Sequence, residues 1–162
     1  MVQRTLVQTG LPGERLELEI TENLLLTDMA TASARIRELN ALGVRMSMDD
    51  FGTGYSSLSQ LRKLPVQELK IDKSFVLRLD TEPQDQLIVR STIDMAHGLG
   101  LKVVAEGIEN LEAWRLLQHW GCNLAQGFYL SRPVAPEDLP ETARALADRR
   151  EELTHTNPEY SE

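Results

Sequence analysis

Apolar residues recur along this chain in two rhythms that take turns. In "RLELEI" (15–20) every second residue is apolar, so Leu16, Leu18 and Ile20 fall on one face of a strand and Glu17 and Glu19 on the other. "MATASARIRELNALG" then repeats its apolar groups at helical spacing and stops at Gly43, a residue suited to the left-handed turn that ends helices. "VRMSM" (44–48) predicts a second strand, "SSLSQLRKL" a short helix with a serine at its start and Pro65 after its end, and "QELKI" (67–71) a third strand. The rhythm repeats. "QDQLIVRSTIDMAHGLG" predicts a helix closing at Gly98 or Gly100, "LKVVA" a fourth strand, "NLEAWRLLQHWG" a helix with Asn110 as its cap, and "NLAQGFY" a shorter fifth strand. Past "SRPVAP" a last helix, over about 137–152, carries Leu139, Ala143, Leu146 and Ala147 on one side, and the remaining "THTNPEYSE" is polar and frayed.

Strands alternating with helices point to an α/β fold with a parallel sheet and helical crossovers. At or just past the end of each strand stands a polar residue: Glu19, Asp49 with Asp50, Lys70, Glu106 and Gln126. Parity sets these side chains apart from the apolar ones, since Met46 and Met48 oppose Asp49, Leu69 and Ile71 oppose Lys70, and Val103 and Ala105 oppose Glu106. The apolar set should pack under helices. If the sheet curls into a (β/α) TIM-type barrel, the polar set gathers inside its C-terminal mouth, where enzymes of this architecture keep their chemistry.

Several carboxylates brought together oppose one another's ionisation unless some stay protonated or a cation neutralises them. The candidate donors are hard oxygens, which suit Mg²⁺ or Mn²⁺ and not zinc or copper. On this reading the tandem Asp49 and Asp50 hold a pair of ions, with Asp49 bridging. Two ions about 3.5–4 Å apart generate a nucleophile and clamp a phosphoryl group. Lys70 then orients or activates water and offsets phosphate charge. Blander readings exist for single residues. Asp50 alone reads as a turn or helix N-cap residue, and "FGTGYSS" as a strand-to-helix turn without the Lys-Ser/Thr ending of a P-loop. His97 reads as a last-turn helix residue, Trp114 and Trp120 as packing groups, and "DRREE" as a solvated helix face.

Charge and composition narrow the partners. The 162 residues, 41% hydrophobic, suffice for one domain's core, and 17 basic against 25 acidic residues leave a net charge of −8. That field repels a nucleic-acid polymer. The single cysteine, Cys122, excludes an internal disulfide and lacks companions for zinc, and no apolar stretch approaches the length of a membrane span or secretory signal. A cytoplasmic protein or fragment is expected.

Together, "ELEITE" (17–22), "DDFGTGYSS" (49–57), "LKIDKSFV" (69–76), "VVAEGIE" (103–109) and "CNLAQGFYLSRP" (122–133) resemble the EAL-domain family of cyclic-di-GMP phosphodiesterases in order and spacing. The resemblance implies a modified TIM barrel that uses two Mg²⁺ or Mn²⁺ ions to hydrolyse cyclic-di-GMP to the linear dinucleotide. By motif, Glu19 and Asp49 correspond to metal ligands, with Asp49 bridging, and Asp50 to a ligand of the second ion. Lys70 corresponds to the water-positioning lysine, Glu106 to the acid holding the second metal directly or through water, and Gln126 to the glutamine near that water. Glu22 corresponds to the glutamate bracing the "DFGTGYSS" loop, and Glu109 to a supporting acid.

The family's earlier elements are not found in this sequence: a Gln-Pro pair, the Glu-Ala-Leu segment with its metal-binding Glu, a substrate-side arginine and an Asn-bearing strand. A barrel takes about 250 residues and eight strands, so about five strands here predict a partial barrel with open edges. Self-association or dependence on a partner segment follows from that. Residues 1–145 are expected to form the C-terminal portion of an EAL domain and 146–162 a helix end and polar tail. The expected function is cyclic-di-GMP phosphodiesterase, as part of an EAL domain, with little turnover by this chain alone. The alternative is a non-catalytic EAL remnant that binds cyclic-di-GMP or another protein. A metal-dependent lyase of the enolase type gives no reason for "DDFGTGYSS". A homodimer, or pairing with another EAL or sensory domain, is implied by resemblance.

Overall fold

The computed structural model describes residues 1–21, 29–52 and 58–155. Five strands build the sheet: β1 (Glu17–Thr21), β2 (Arg45–Phe51), β3 (Glu68–Ile71), β4 (Lys102–Glu106) and β5 (Leu124–Gln126). All neighbours are parallel and the order is β1-β2-β3-β4-β5, with no pairing of β5 to β1 among the described residues. The helices are α1 (Val2–Thr9), α2 (Met29–Asn40), α3 (Leu58–Leu61), α4 (Lys73–Val76), α5 (Pro83–Gly98), α6 (Leu111–His119) and α7 (Leu139–His155). None of the described helices is long and apolar enough to cross a membrane.

The expected parity is realised in the packing. Met46, Met48, Leu69, Ile71, Val103 and Ala105 are all buried, and they share one core cluster with Ile36 of α2, Val89, Ile93 and Ala96 of α5, and Ala113 and Leu117 of α6. β2, β3 and β4 therefore hand their apolar faces to helices, as a parallel sheet requires. The central strand β3 is buried on both faces, so Glu68 and Lys70 are enclosed along with Leu69 and Ile71.

Local signals explain most boundaries. Gly43, at φ 85°, follows the end of α2, and Asn110 Oδ1 accepts from Ala113 N at 2.8 Å to cap α6. α5 ends at Gly98, and Gly100 takes the left-handed conformation two residues later. β2 runs three residues beyond the apolar stretch that announced it, through Asp49 and Asp50 to Phe51. α4 has no periodic signature at four residues; Asp72 defines it, its carboxylate accepting from Ser74 N at 3.0 Å and from the Ser74 hydroxyl. α7 begins at Leu139 and reaches His155. It is fastened by Arg149, which donates to the Tyr129 carbonyl at 2.8 Å and lies 4.4 Å over the Tyr129 ring.

Candidate functional site

The tandem aspartates occupy a β-bulge. Met48 pairs with Leu69 and Phe51 with Ile71, so Asp49 and Asp50 together stand opposite the single residue Lys70. In a regular strand consecutive side chains point to opposite faces. The extra residue breaks that rule, and Asp50 absorbs it at φ 55°, the sole positive φ of a non-glycine residue among the described residues. Aspartate tolerates this conformation better than most side chains. The view of Asp50 as an N-cap does not hold: it lies within β2, well before α3 begins.

Four strands deliver charged side chains to one rim. Lys70 Nζ lies 2.5 Å from Glu19 Oε1, 2.6 Å from Glu106 Oε1 and 3.4 Å from Asp49 Oδ1. Strand register explains the reach. Glu19 pairs with Ser47, two residues before Asp49, while Lys70 pairs with Val104, two residues before Glu106. The flexible lysine stem spans these levels from the middle of the sheet. Burial alone would lower the pKa of this ammonium, but its hydrogen bonds to Glu106 and Glu19 and the charges of Glu106 and Asp49 outweigh burial and hold it above the ordinary lysine value.

The compensation is incomplete. Asp49 Oδ1 is buried and accepts no hydrogen bond, the ammonium at 3.4 Å being an ion-pair partner only. Ser47, fully buried on the same face, also has an unpartnered Oγ. Its position inside "VRMSM" reads as plain strand, so only its parity with Asp49 could have marked it. Below the rim a second charged group forms, with Arg45 at 3.3 Å from Glu17 and 3.5 Å from the buried Glu68.

Gln126 pairs in register with Glu106 at the end of β5, and its side chain is exposed. The turns after β4 and β5 lock together: Ile108 N donates to Gln126 O at 3.1 Å, and Tyr129 N to Ile108 O at 2.9 Å. Gly127 permits this contact, because a Cβ there would lie 2.1 Å from Ile108 O. Sequence reading missed Gly127, whose role depends on a neighbour nineteen positions away in the chain. A cavity of about 600 Å³ opens beside this junction. Glu106, Glu109 and Gln126 line it together with Phe128, Arg132 and Leu139; the Arg132 guanidinium sits 4.7 Å over the Phe128 ring. Glu109 is exposed and belongs to this cavity and not to the Lys70 cluster. Glu22 lies outside the described residues, as do residues 53–57 of the glycine-punctuated loop.

His97 stands in the last turn of α5, as its position suggested, with Nε2 2.9 Å from Asn123 Oδ1. Asn123 Oδ1 also accepts from Val103 N at 2.8 Å, a latch between β4 and the entry to β5. Trp114 and Trp120 pack against the core.

The rim suits a hard divalent cation in its donor chemistry. Its ligands are carboxylate oxygens, and a buried acceptor on Asp49 remains unsatisfied. Among the described residues, however, no three acidic, histidine or cysteine side chains are already grouped as a metal cage; the ammonium of Lys70 stands between the carboxylates.

The family model of the EAL domain matches residues 1–133, and the fold superposes on the solved EAL domain of Mycobacterium smegmatis DcpA with a TM-score of 0.81 at 44% identity, over 91% of this chain and 65% of that one. The chain belongs to the EAL-domain family. It is 43% identical over 144 residues to the cyclic di-GMP phosphodiesterase NbdA of Pseudomonas aeruginosa, covering 89% of this chain and 18% of that protein. Among solved structures, the PaMucR phosphodiesterase in complex with c-di-GMP superposes with a TM-score of 0.81 at 41% identity, over 85% of this chain and 56% of that one. Klebsiella pneumoniae BlrP1, solved with manganese and c-di-GMP, superposes with a TM-score of 0.75 at 36% identity, over 82% of this chain and 34% of that one. The chain spans 18–22% of the length of the first curated relatives it matches.

Proposed function

We propose that this chain carries the C-terminal portion of a cyclic-di-GMP phosphodiesterase site, with residues 1–145 as that portion and 146–162 as a helix end and tail. The observation that carries the reading is the convergence of Glu19, Asp49 and Glu106 on Lys70 from four adjacent strands. Glu19, Asp49, Asp50 and Glu106 are the residues that would hold the metal ions. Two Mg²⁺ or Mn²⁺ ions, when bound, supply Lewis acidity and acidify water at neutral pH.

The remaining roles belong to the chain's own side chains. Lys70 orients the attacking water and offsets charge on the scissile phosphate, and Gln126 accepts or donates to that water from the end of β5. Glu109 supports the cavity wall. The cavity beside Glu106 offers a dinucleotide an apolar surface and one guanidinium, with Phe128 and Arg132 as the groups a base or phosphate would meet.

A second reading has its own support. The described sheet is open, and the chain matches little more than half of the PaMucR chain. A non-catalytic module that binds cyclic-di-GMP or pairs with another EAL or sensory domain fits those facts. Chromatography of cyclic-di-GMP incubated with the chain and Mn²⁺ decides between them. Linear product that disappears in Asp49→Ala and Lys70→Ala establishes the enzyme. Nucleotide binding by calorimetry without product establishes the module, and neither result with cyclic-di-GMP removes both readings.

A further inference from the structure

We propose that the cavity beside Glu106 is a guanine-reading subsite, in which Phe128 and Arg132 form a stacking platform and Glu109 recognises the edge of the base. The inference rests on the cyclic-di-GMP reading above and deepens it. It says which part of the nucleotide enters this cavity and which residue sets the choice of base.

The lining decides the first point. The cavity, about 600 Å³, is of the size that takes small-molecule ligands. Leu77, Phe128, Val134 and Leu139 line it, and all four are exposed, Leu139 by 59%. Apolar side chains exposed singly need no explanation, but four on one cavity form a surface that gains by being covered. A phosphate gains nothing from that surface and would also face the carboxylates of Glu106 and Glu109. A flat, uncharged base meets both constraints. The Arg132 guanidinium lies 4.7 Å over the Phe128 ring, and the ring side chain still stays 53% exposed. Cation and ring together make a platform for stacking.

Glu109 decides which base. A carboxylate only accepts, and it offers two oxygens side by side. Guanine presents two donors side by side on its Watson–Crick edge, N1–H and the 2-amino group, so the two groups match in a bidentate, charge-assisted contact. Adenine places a lone pair at N1, and that lone pair opposes the carboxylate. Glu109 is exposed and lines the same cavity as the platform. The cavity also borders the rim, because Glu106 lines it and contacts Lys70 Nζ at 2.6 Å. A base held against Phe128 therefore leaves its ribose and phosphate next to the Lys70 cluster.

Calorimetry with two probes tests this. Cyclic-di-GMP is expected to bind the wild-type chain about tenfold tighter than cyclic-di-AMP, or more. Glu109→Gln, whose amide presents one donor and one acceptor and so suits adenine, is expected to abolish or invert that ratio. Removing a negative charge near phosphates would tighten both probes alike, so the ratio and not the affinity reads the base contact. Phe128→Ala is expected to weaken both probes by about fivefold or more. Both side chains lie outside the core, and thermal unfolding checks that each variant keeps the fold. Equal affinity of the wild-type chain for the two probes overturns the inference without any variant. A ratio unchanged in Glu109→Gln, or affinities unchanged in Phe128→Ala, overturns it too, and cyclic-di-GMP binding in those experiments leaves the phosphodiesterase reading standing. Absence of binding by either probe removes the subsite, and absence of linear product as well removes the cyclic-di-GMP reading with it.

Discussion

Lys70 Nζ approaches Glu19 Oε1 to 2.5 Å although the whole of β2 separates their strands. The contact crosses two strand spacings and ties β1 to β3 over the polar face. An ammonium whose folded pKa lies above its unfolded value contributes its full stabilisation below the unfolded value, near 10.4 for lysine, and loses it as pH rises through the folded value. Lys70 is such a group. The stability gap between wild type and Lys70→Met, measured by urea unfolding without metal, is expected to stay constant from pH 7 to about 10 and to shrink only above it. Its size should be about 1–3 kcal/mol, below that of a fully buried pair because Glu19 remains half exposed. A gap that closes near neutral pH would contradict the assignment.

Cations that bind the folded rim should stabilise it. At a concentration about 100-fold above Kd the gain is about 2.7 kcal/mol. Thermal unfolding is expected to move up with Mn²⁺ in the wild-type chain and to stay put in Asp49→Asn, which keeps the shape of the side chain and removes its charge. An equal shift in both proteins would place the bound cation elsewhere.

Gly127→Ala should be among the costliest single changes. Its Cβ would stand 2.1 Å from Ile108 O and 2.3 Å from Ile108 N, so the β4 and β5 turns must separate and Gln126 must move away from Glu106. A loss of about 2–4 kcal/mol is expected in thermal or chemical unfolding. Substitution at Gly98, where a Cβ meets nothing within 4 Å, serves as the control and should cost little.

Asn123→Ala tests the latch at the entry to β5. The change leaves Val103 N without its acceptor and releases His97. An orphaned buried donor costs about 1–3 kcal/mol, and amide hydrogen exchange should show faster exchange at Val103 than elsewhere in β4.

Among the described residues β1 and β5 have no partner on their outer edges, and unpaired strand edges template further pairing, which predicts concentration-dependent association. Leu124, 45% exposed on β5, is the residue to change. Sedimentation velocity should show less association for Leu124→Lys than for wild type, and identical profiles would remove the β5 edge from consideration.

Much of this architecture is legible in one sequence because strand alternation is a local property. Leu69 and Ile71 against Lys70, or Val103 and Ala105 against Glu106, declare their faces within five residues. The bulge is not local. It exists only between β2 and β3, where two residues of one strand meet one of the other, so "MDD" carries no trace of it. The same holds for the locked turns at Ile108 and Gly127. α4 escapes notice because one turn has no period, and its signal lies in the Asp72–Ser74 cap. Glu19, Asp49, Lys70 and Glu106 were found by their common position at strand ends; that the lysine stands in the middle of the three acids follows from stem length and register, which no motif encodes.

The left-handed backbone at position 50 also sets a narrow vocabulary for evolution and for the experimenter. Glycine, asparagine and aspartate enter that conformation at modest cost, and branched or bulky side chains do not. Asparagine differs from aspartate chiefly in lacking the negative charge, whereas glycine removes the whole side chain. Randomising that codon would therefore sort survivors by backbone first, and comparing aspartate with asparagine among them would report on charge.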